Sequence, residues 1–215
     1  MTEHENIFSV ITQGGLEQLQ QSINLDPGLA TARDANGVSA LMTALYYRKQ
    51  EMVQYLRGRI PALDLFEASA LGEAGRVEQL LRDGQAVNTY SPDGFTPLHL
   101  SVFFNQPACA RFLLAHGAAV NAVAANPSRV QPLHSATACR SLELVRLLLE
   151  HGAEVNARQQ GGWTALQAAA KHGGLELVEL LLQHGADPDE AADDGQTAKT
   201  LSANEKIRDR LKRIN

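Results

Sequence analysis

The stretch SPDGFTPLHLSVFFNQPACARFLLAHGAAVNAV, residues 91–123, decides the fold, because the rest of the chain is a series of closer and looser copies of it. Leu98 reappears as Leu133 and Leu166, at steps of 35 and 33 residues. The pair Leu113-Leu114 returns as Leu148-Leu149 and Leu181-Leu182, and the glycine after it returns as Gly117, Gly152 and Gly185. Several residue types recurring together at a period near 33 are the signature of stacked structural repeats. Within the stretch, Asp93-Gly94 predicts a tight turn, since glycine takes a positive φ without steric cost. Thr96-Pro97 then opens a helix, where the N–H that proline lacks would have had no partner. This helix is expected to end near Asn105. A second starts around Pro107 and stops at Gly117, the residue type that closes helix C-termini in a left-handed conformation. A helix pair of this size buries only one side, so it must stack on a neighbour.

Asp93, Gly94, Thr96, Pro97, Leu98, His99, Leu113, Leu114, Gly117, Ala118, Val120 and Asn121 together carry a pattern that resembles the ankyrin repeat. The resemblance implies an all-α solenoid of stacked helix-turn-helix units with short hairpin turns. About seven units are expected, counting degenerate caps at both ends.

Working outward, residues 126–158 and 159–191 are the clearest further copies, after 91–125. The middle one lacks the turn glycine and has the longer connection 122–129, for which a shape of its own is expected. Residues 1–33 read as an N-terminal cap unit, with Ile7 at the anchor phase and Gly14-Gly15 between its helices. Unit 34–60 follows, with Ser39-Ala40-Leu41 in place of Thr96-Pro97-Leu98. Unit 61–90 breaks the period: Leu41 to Leu65 is 24 residues, nine short of 33, and the missing part is the turn segment. Residues 192–215 form a C-terminal cap, in which Ile207, Leu211 and Ile214 recur at helical spacing. One continuous array over 1–215 is the expectation. A boundary near residue 60 is the competing reading, disfavoured because two repeats alone fall below the roughly three that stability requires.

A net charge of −5 argues against nucleic acid as main partner, since phosphate neutralisation needs a concentrated basic face. The segment MTEHENIF does not read as a secretory signal, and no run approaches the roughly 18 apolar residues of a membrane span. We expect a soluble, cytoplasmic, monomeric protein. Cys109 and Cys139 fall at different repeat phases, which argues against a disulfide on geometric grounds and favours free thiols.

Seven histidines invite a metal or catalytic reading, and repeat phase opposes it. His116, His151 and His184 are equivalent positions, as are His99 and His134. Stacked equivalents lie about 10 Å apart, whereas metal–nitrogen bonds are about 2 Å. The resemblance implies a structural, hydrogen-bonding role for His99 and His134, although the latter has Gln131 where the pattern wants Thr. No nucleophile elbow, P-loop, dinucleotide fingerprint or zinc spacing is present. We therefore expect no catalytic residue, no cofactor and no metal.

Function is then expected on the surface. In proteins of this kind, the residues five and six after each anchor line the concave face with the turn tips. Here they include Tyr46, Tyr47, Leu71, Phe103, Phe104, Lys171 and His172, and the turn position three before the anchor adds Phe95, Val130 and Trp163. Aromatic residues on a face that stacking does not require to be apolar point to a protein partner of this scaffold. The other reading of the rings is local packing, with Tyr47 and Phe104 folding into the notch of the shortened unit over small residues such as Ala70. Two other functions stand beside it: an enzyme or small-ligand protein using a groove there, and an inhibitory or structural subunit of a larger complex.

Overall fold

A computed structural model describes residues 4–212 of the chain, with side chains from residue 7; Ile214 of the expected cap lies outside them. The described residues form helices in pairs: α1 (His4–Gln13) with α2 (Leu16–Leu25), α3 (Ala40–Tyr46) with α4 (Gln50–Arg57), and α5 (Leu65–Leu71) with α6 (Ala74–Arg82). They continue as α7 (Pro97–Phe103) with α8 (Pro107–Ala115), α9 (Pro132–Ala138) with α10 (Leu142–Glu150), and α11 (Ala165–Lys171) with α12 (Leu175–Gln183). The last pair is α13 (Ala198–Leu201) with α14 (Glu205–Lys212). First helices pack in a row from α1 to α13, and second helices form a parallel row behind them. In that back row α4 and α6 are tied by Arg57, whose Nε and Nη2 donate to the two carboxylate oxygens of Glu73 at 2.7 and 3.0 Å. The fold is an all-α solenoid.

The repeat phase explains the core. The anchors Leu41, Leu65, Leu98, Leu133 and Leu166 are all at most 1% exposed, and one contiguous apolar cluster runs from Ile7 to Leu211. The five first helices from α3 to α11 are only seven residues long, too short to be stable alone, and are held by caps and stacking. Asp64 Oδ1 accepts from the N–H of Glu67 at 2.8 Å, and Ser39, Thr96 and Thr164 cap their own helices in the same way. Seven residues after the anchor the chain turns left-handed in every central unit, at Arg48, Gly72, Asn105, Arg140 and Gly173.

Hairpins project from the first-helix side. Backbone bonds from Asp34 to Val38, Ser91 to Phe95, Gln159 to Trp163 and Ala192 to Gln196 close four of them over the same span. The hairpin before α9 closes instead from Ala124 N–H to Val130 O at 2.8 Å, two residues longer, which is the origin of the 35-residue step. Arg129 at φ +50° stands near its tip, and Asn126 Nδ2 donates to Asp93 O at 2.8 Å. Successive tips are joined by one backbone bond each, Ala125 to Gly94, Gln160 to Ser128 and Asp193 to Gly161. Below them Asn88, Asn121 and Asn156 each donate from Nδ2 to the carbonyl of Gly117, Gly152 and Gly185 and accept the N–H two residues further on. These clips tie each unit to the next.

No hairpin lies between α4 and α5. Ile60 and Leu63, 7% and 2% exposed, turn inward to cover the helix ends there. The hairpin before α7 therefore meets the one before α3: a Cβ on Gly37 would sit 3.1 Å from Pro92 Cβ. Pro92 occupies the register position at which Ala125, Gln160 and Asp193 donate to the preceding tip, and it has no N–H to leave unpaired.

Candidate protein-binding face

The histidines are absorbed by the stack. His99 Nδ1 accepts from the N–H of Thr96 at 3.3 Å while Nε2 donates to Val130 O at 3.1 Å on the next hairpin. His134 repeats this with Gln131 N–H at 3.0 Å and Ala157 O at 3.0 Å, even without the threonine. Gln167 does the same work with an amide, accepting from Thr164 and donating to Glu190 and Gln196 carbonyls. Glu67, likewise three residues after its helix cap, makes no such forward bond; it accepts from Asp64 N–H and from Ser39 Oγ in the preceding unit at 2.7 Å. Burial pushes His99 down to about 4, partly offset by its carbonyl partner, and lowers His134 for the same reason. Both rings are neutral structural bridges at pH 7. His116, His151 and His184 donate from Nδ1 to the carbonyl four residues earlier, closing the second helices. Cys109 and Cys139 are free thiols, raised by burial.

The expected contact residues divide into two groups. Tyr46 from α3 lies 6.1 Å from Phe103 and 5.5 Å from Phe104, ring centre to ring centre, and the two phenylalanines meet edge to face at 5.1 Å. These rings come from helices two units apart. They meet because the hairpin between their units is missing and α5 presents only Ala70, 1% exposed, at the intervening position. The Tyr46 hydroxyl donates to Asp93 Oδ2 at 2.5 Å, and burial first, then Asp93, raises its pKa. Phe95 is half-buried against His99. It is thus Tyr46 that turns into the notch beside Phe104, whereas Tyr47 is 56% exposed, contrary to the inward packing considered for it. Phe103 keeps 47% of its surface free.

The second group is Trp163, Lys171 and His172, with the Lys171 ammonium 4.8 Å from the Trp163 ring centre. It lines a hollow of about 350 Å³ with Gln159, Gln160 and Ala138. A groove of about 500 Å³ beside the first group is lined by Tyr46, Phe103, Phe104, Arg48 and Cys139, and again by Ala138. Ala138 is common to both, so the two hollows adjoin at the small side chain that ends α9, and together they form the channel along this face. Leu71 is half-buried on the core side, and Val130 serves through its carbonyl; neither lines these two hollows. Arg48 was not singled out from sequence. Its signal was the register position it shares with Gly72 and Gly173, from which an arginine side chain projects along the face.

The descriptions of three ankyrin repeats match residues 65–159, and a further ankyrin repeat matches 161–194. The chain belongs to the ankyrin-repeat family. A 59-residue portion, 27% of the chain, is 37% identical to palmitoyltransferase AKR1 of Gibberella zeae, of which it spans 8%. Repeats of this family are generally protein–protein interaction modules. Among the described residues no helix is long and apolar enough to cross a membrane.

Proposed function

We propose that this protein is a non-enzymatic, monomeric, cytoplasmic interaction module, a single array that binds a protein partner in the channel between the aromatic cluster and Trp163. The observation that carries this reading is the groove beside Tyr46, Phe103 and Phe104: about 500 Å³, assembled from non-adjacent units, with Phe103, 47% exposed, in its lining and Tyr47, 56% exposed, between the lining residues Tyr46 and Arg48 in sequence. Half-exposed aromatics around a concave apolar surface are the usual anchors of protein interfaces. Of the ionisable groups pushed furthest from their ordinary values, Tyr46 and His99 line a cavity of only about 30 Å³ and Cys109 lies in the core; burial is the first cause of each shift, and Tyr46 and His99 are already bonded to Asp93 and to Thr96 and Val130, which favours binding over chemistry. The similarity to a palmitoyltransferase spans too little of that protein to transfer its activity.

The test is capture from native lysate by the wild-type chain and a Tyr47→Ala/Phe103→Ala double variant, compared by mass spectrometry. Proteins retained by the wild type and lost by the folded variant support the reading; identical capture by both contradicts it.

A further inference from the structure

The charge on this face is opposite to that of the chain, and the partner's chemistry follows. We propose that the channel takes an acidic, extended peptide segment of a protein partner, with an apolar residue lodged against Tyr46 and Phe103 and carboxylates meeting Arg48, Arg140 and Lys171. This rests on the reading of the face as a protein-binding surface and names what it binds.

The chain carries a net −5. Along the first helices and the turns that follow them in the central units, the exposed charged side chains are Arg48, Arg140 and Lys171, with His172 beside them. The acids in these segments are already engaged: Glu67 is 4% exposed and bonded to Ser39, and Glu73 clamps Arg57. Asp93, at the nearby hairpin, is taken by the Tyr46 hydroxyl. Exposed acids such as Glu51, Glu143, Glu150 and Glu176 lie on the second helices behind. Among the described residues neither Arg48 nor Arg140 has an ion-pair partner, although arginines elsewhere, such as Arg33 and Arg158, do. A positive rim around a channel that offers an apolar seat at Tyr46 and Phe103 and polar side chains at Gln159 and Gln160 is complementary to an acidic peptide, and it repels basic ones.

The backbone adds a second reason. Arg48 and Arg140 hold φ of 55° and 56° at the position where Gly72 and Gly173 sit at 76° and 77°. A left-handed residue with a Cβ is strained and glycine is not. Two units thus carry arginine where others show that glycine fits: Arg48 lines the groove beside the aromatic cluster, and Arg140 follows directly on Cys139, which also lines it.

The experiment is selection of phage-displayed random dodecapeptides on the full chain, followed by affinity measurement of the enriched peptides on wild type, Phe103→Ala and Arg48→Gly/Arg140→Gly. The glycine pair relieves the backbone, so its urea midpoint should not fall, and any lost binding is then due to the lost charge. The expected result is peptides with an excess of Asp and Glu around an apolar residue. Their affinity should drop about tenfold in the glycine pair, as for two partly exposed ion pairs, and should weaken with added salt. Peptides that are neutral or basic, or indifferent to the glycine pair, yet lost with Phe103→Ala, overturn this inference and leave the binding face standing. No enriched peptide, or none sensitive to Phe103→Ala, overturns both.

Discussion

Gln167 does in one unit what His99 and His134 do in two others, so exchanging one for the other separates a hydrogen bond from a proton. The neutral rings bridge a helix start to the next hairpin, and protonation would remove the acceptor on Nδ1. In the unfolded chain such a ring titrates near 6.5, while folded His99 is held at about 4. Between these values the unfolded state binds more protons, so the stabilisation is complete above pH 6.5 and is lost as pH falls toward 4. His99 alone accounts for roughly 3 kcal/mol of this loss, with His134 adding in the same direction. A His99→Gln/His134→Gln variant should keep its stability at pH 7 and show a much flatter urea midpoint between pH 6.5 and 4; an unchanged pH profile would contradict the assignment. Gln131 offers a second test. Its buried Oε1 has no partner among the described residues, where Thr96 caps its helix. Gln131→Thr should raise stability by about 1 kcal/mol. Repeat phase argued against a shared metal, and the ankyrin resemblance implied the structural role of these histidines. That His134 would survive the loss of the threonine was not readable from either, because its Nδ1 bond is to a backbone N–H, which every residue but proline supplies.

At the scale of the element, the hairpins behave as a ribbon in which each tip holds the next, and the ribbon skips one unit. The 24-residue spacing showed which hairpin was missing, and the 35-residue step showed which was longer. What sequence spacing did not show is that the flanking hairpins would close over the gap and bring Tyr46 to Phe104. That depends on the small Ala70 between them and on a proline at 92, whose place in the ribbon is visible only once the tip-to-tip bonds are seen. Gly94 tests the ribbon directly. Its φ is +86°, its carbonyl accepts from Ala125, and a Cβ there would lie 2.9 Å from the Ala125 carbonyl carbon. Gly94→Ala should therefore cost on the order of 1–3 kcal/mol, from left-handed strain plus a backbone clash, read as a lower urea midpoint. Gly84→Ala, also left-handed but with open space around it, should cost less.

At the scale of the whole molecule, the seven helix pairs of the described residues share one apolar cluster, and the inner row gathers rings and cations on a single face. The sequence placed the rings on that face through their common phase. It could not sort those that pack from those that remain open, because the sorting comes from contacts between units two apart. The structure makes Phe104 and Tyr46 mainly packing residues and leaves Phe103 and Tyr47 about half exposed. That division carries the functional reading, and equilibrium urea unfolding of Phe103→Ala beside Phe104→Ala measures it most directly. The account predicts a loss of about 1 kcal/mol or less for Phe103→Ala and a clearly larger one for Phe104→Ala, since only buried rings leave a cavity behind. A loss of about 3 kcal/mol or more for Phe103→Ala would make that ring part of the core and contradict the binding face.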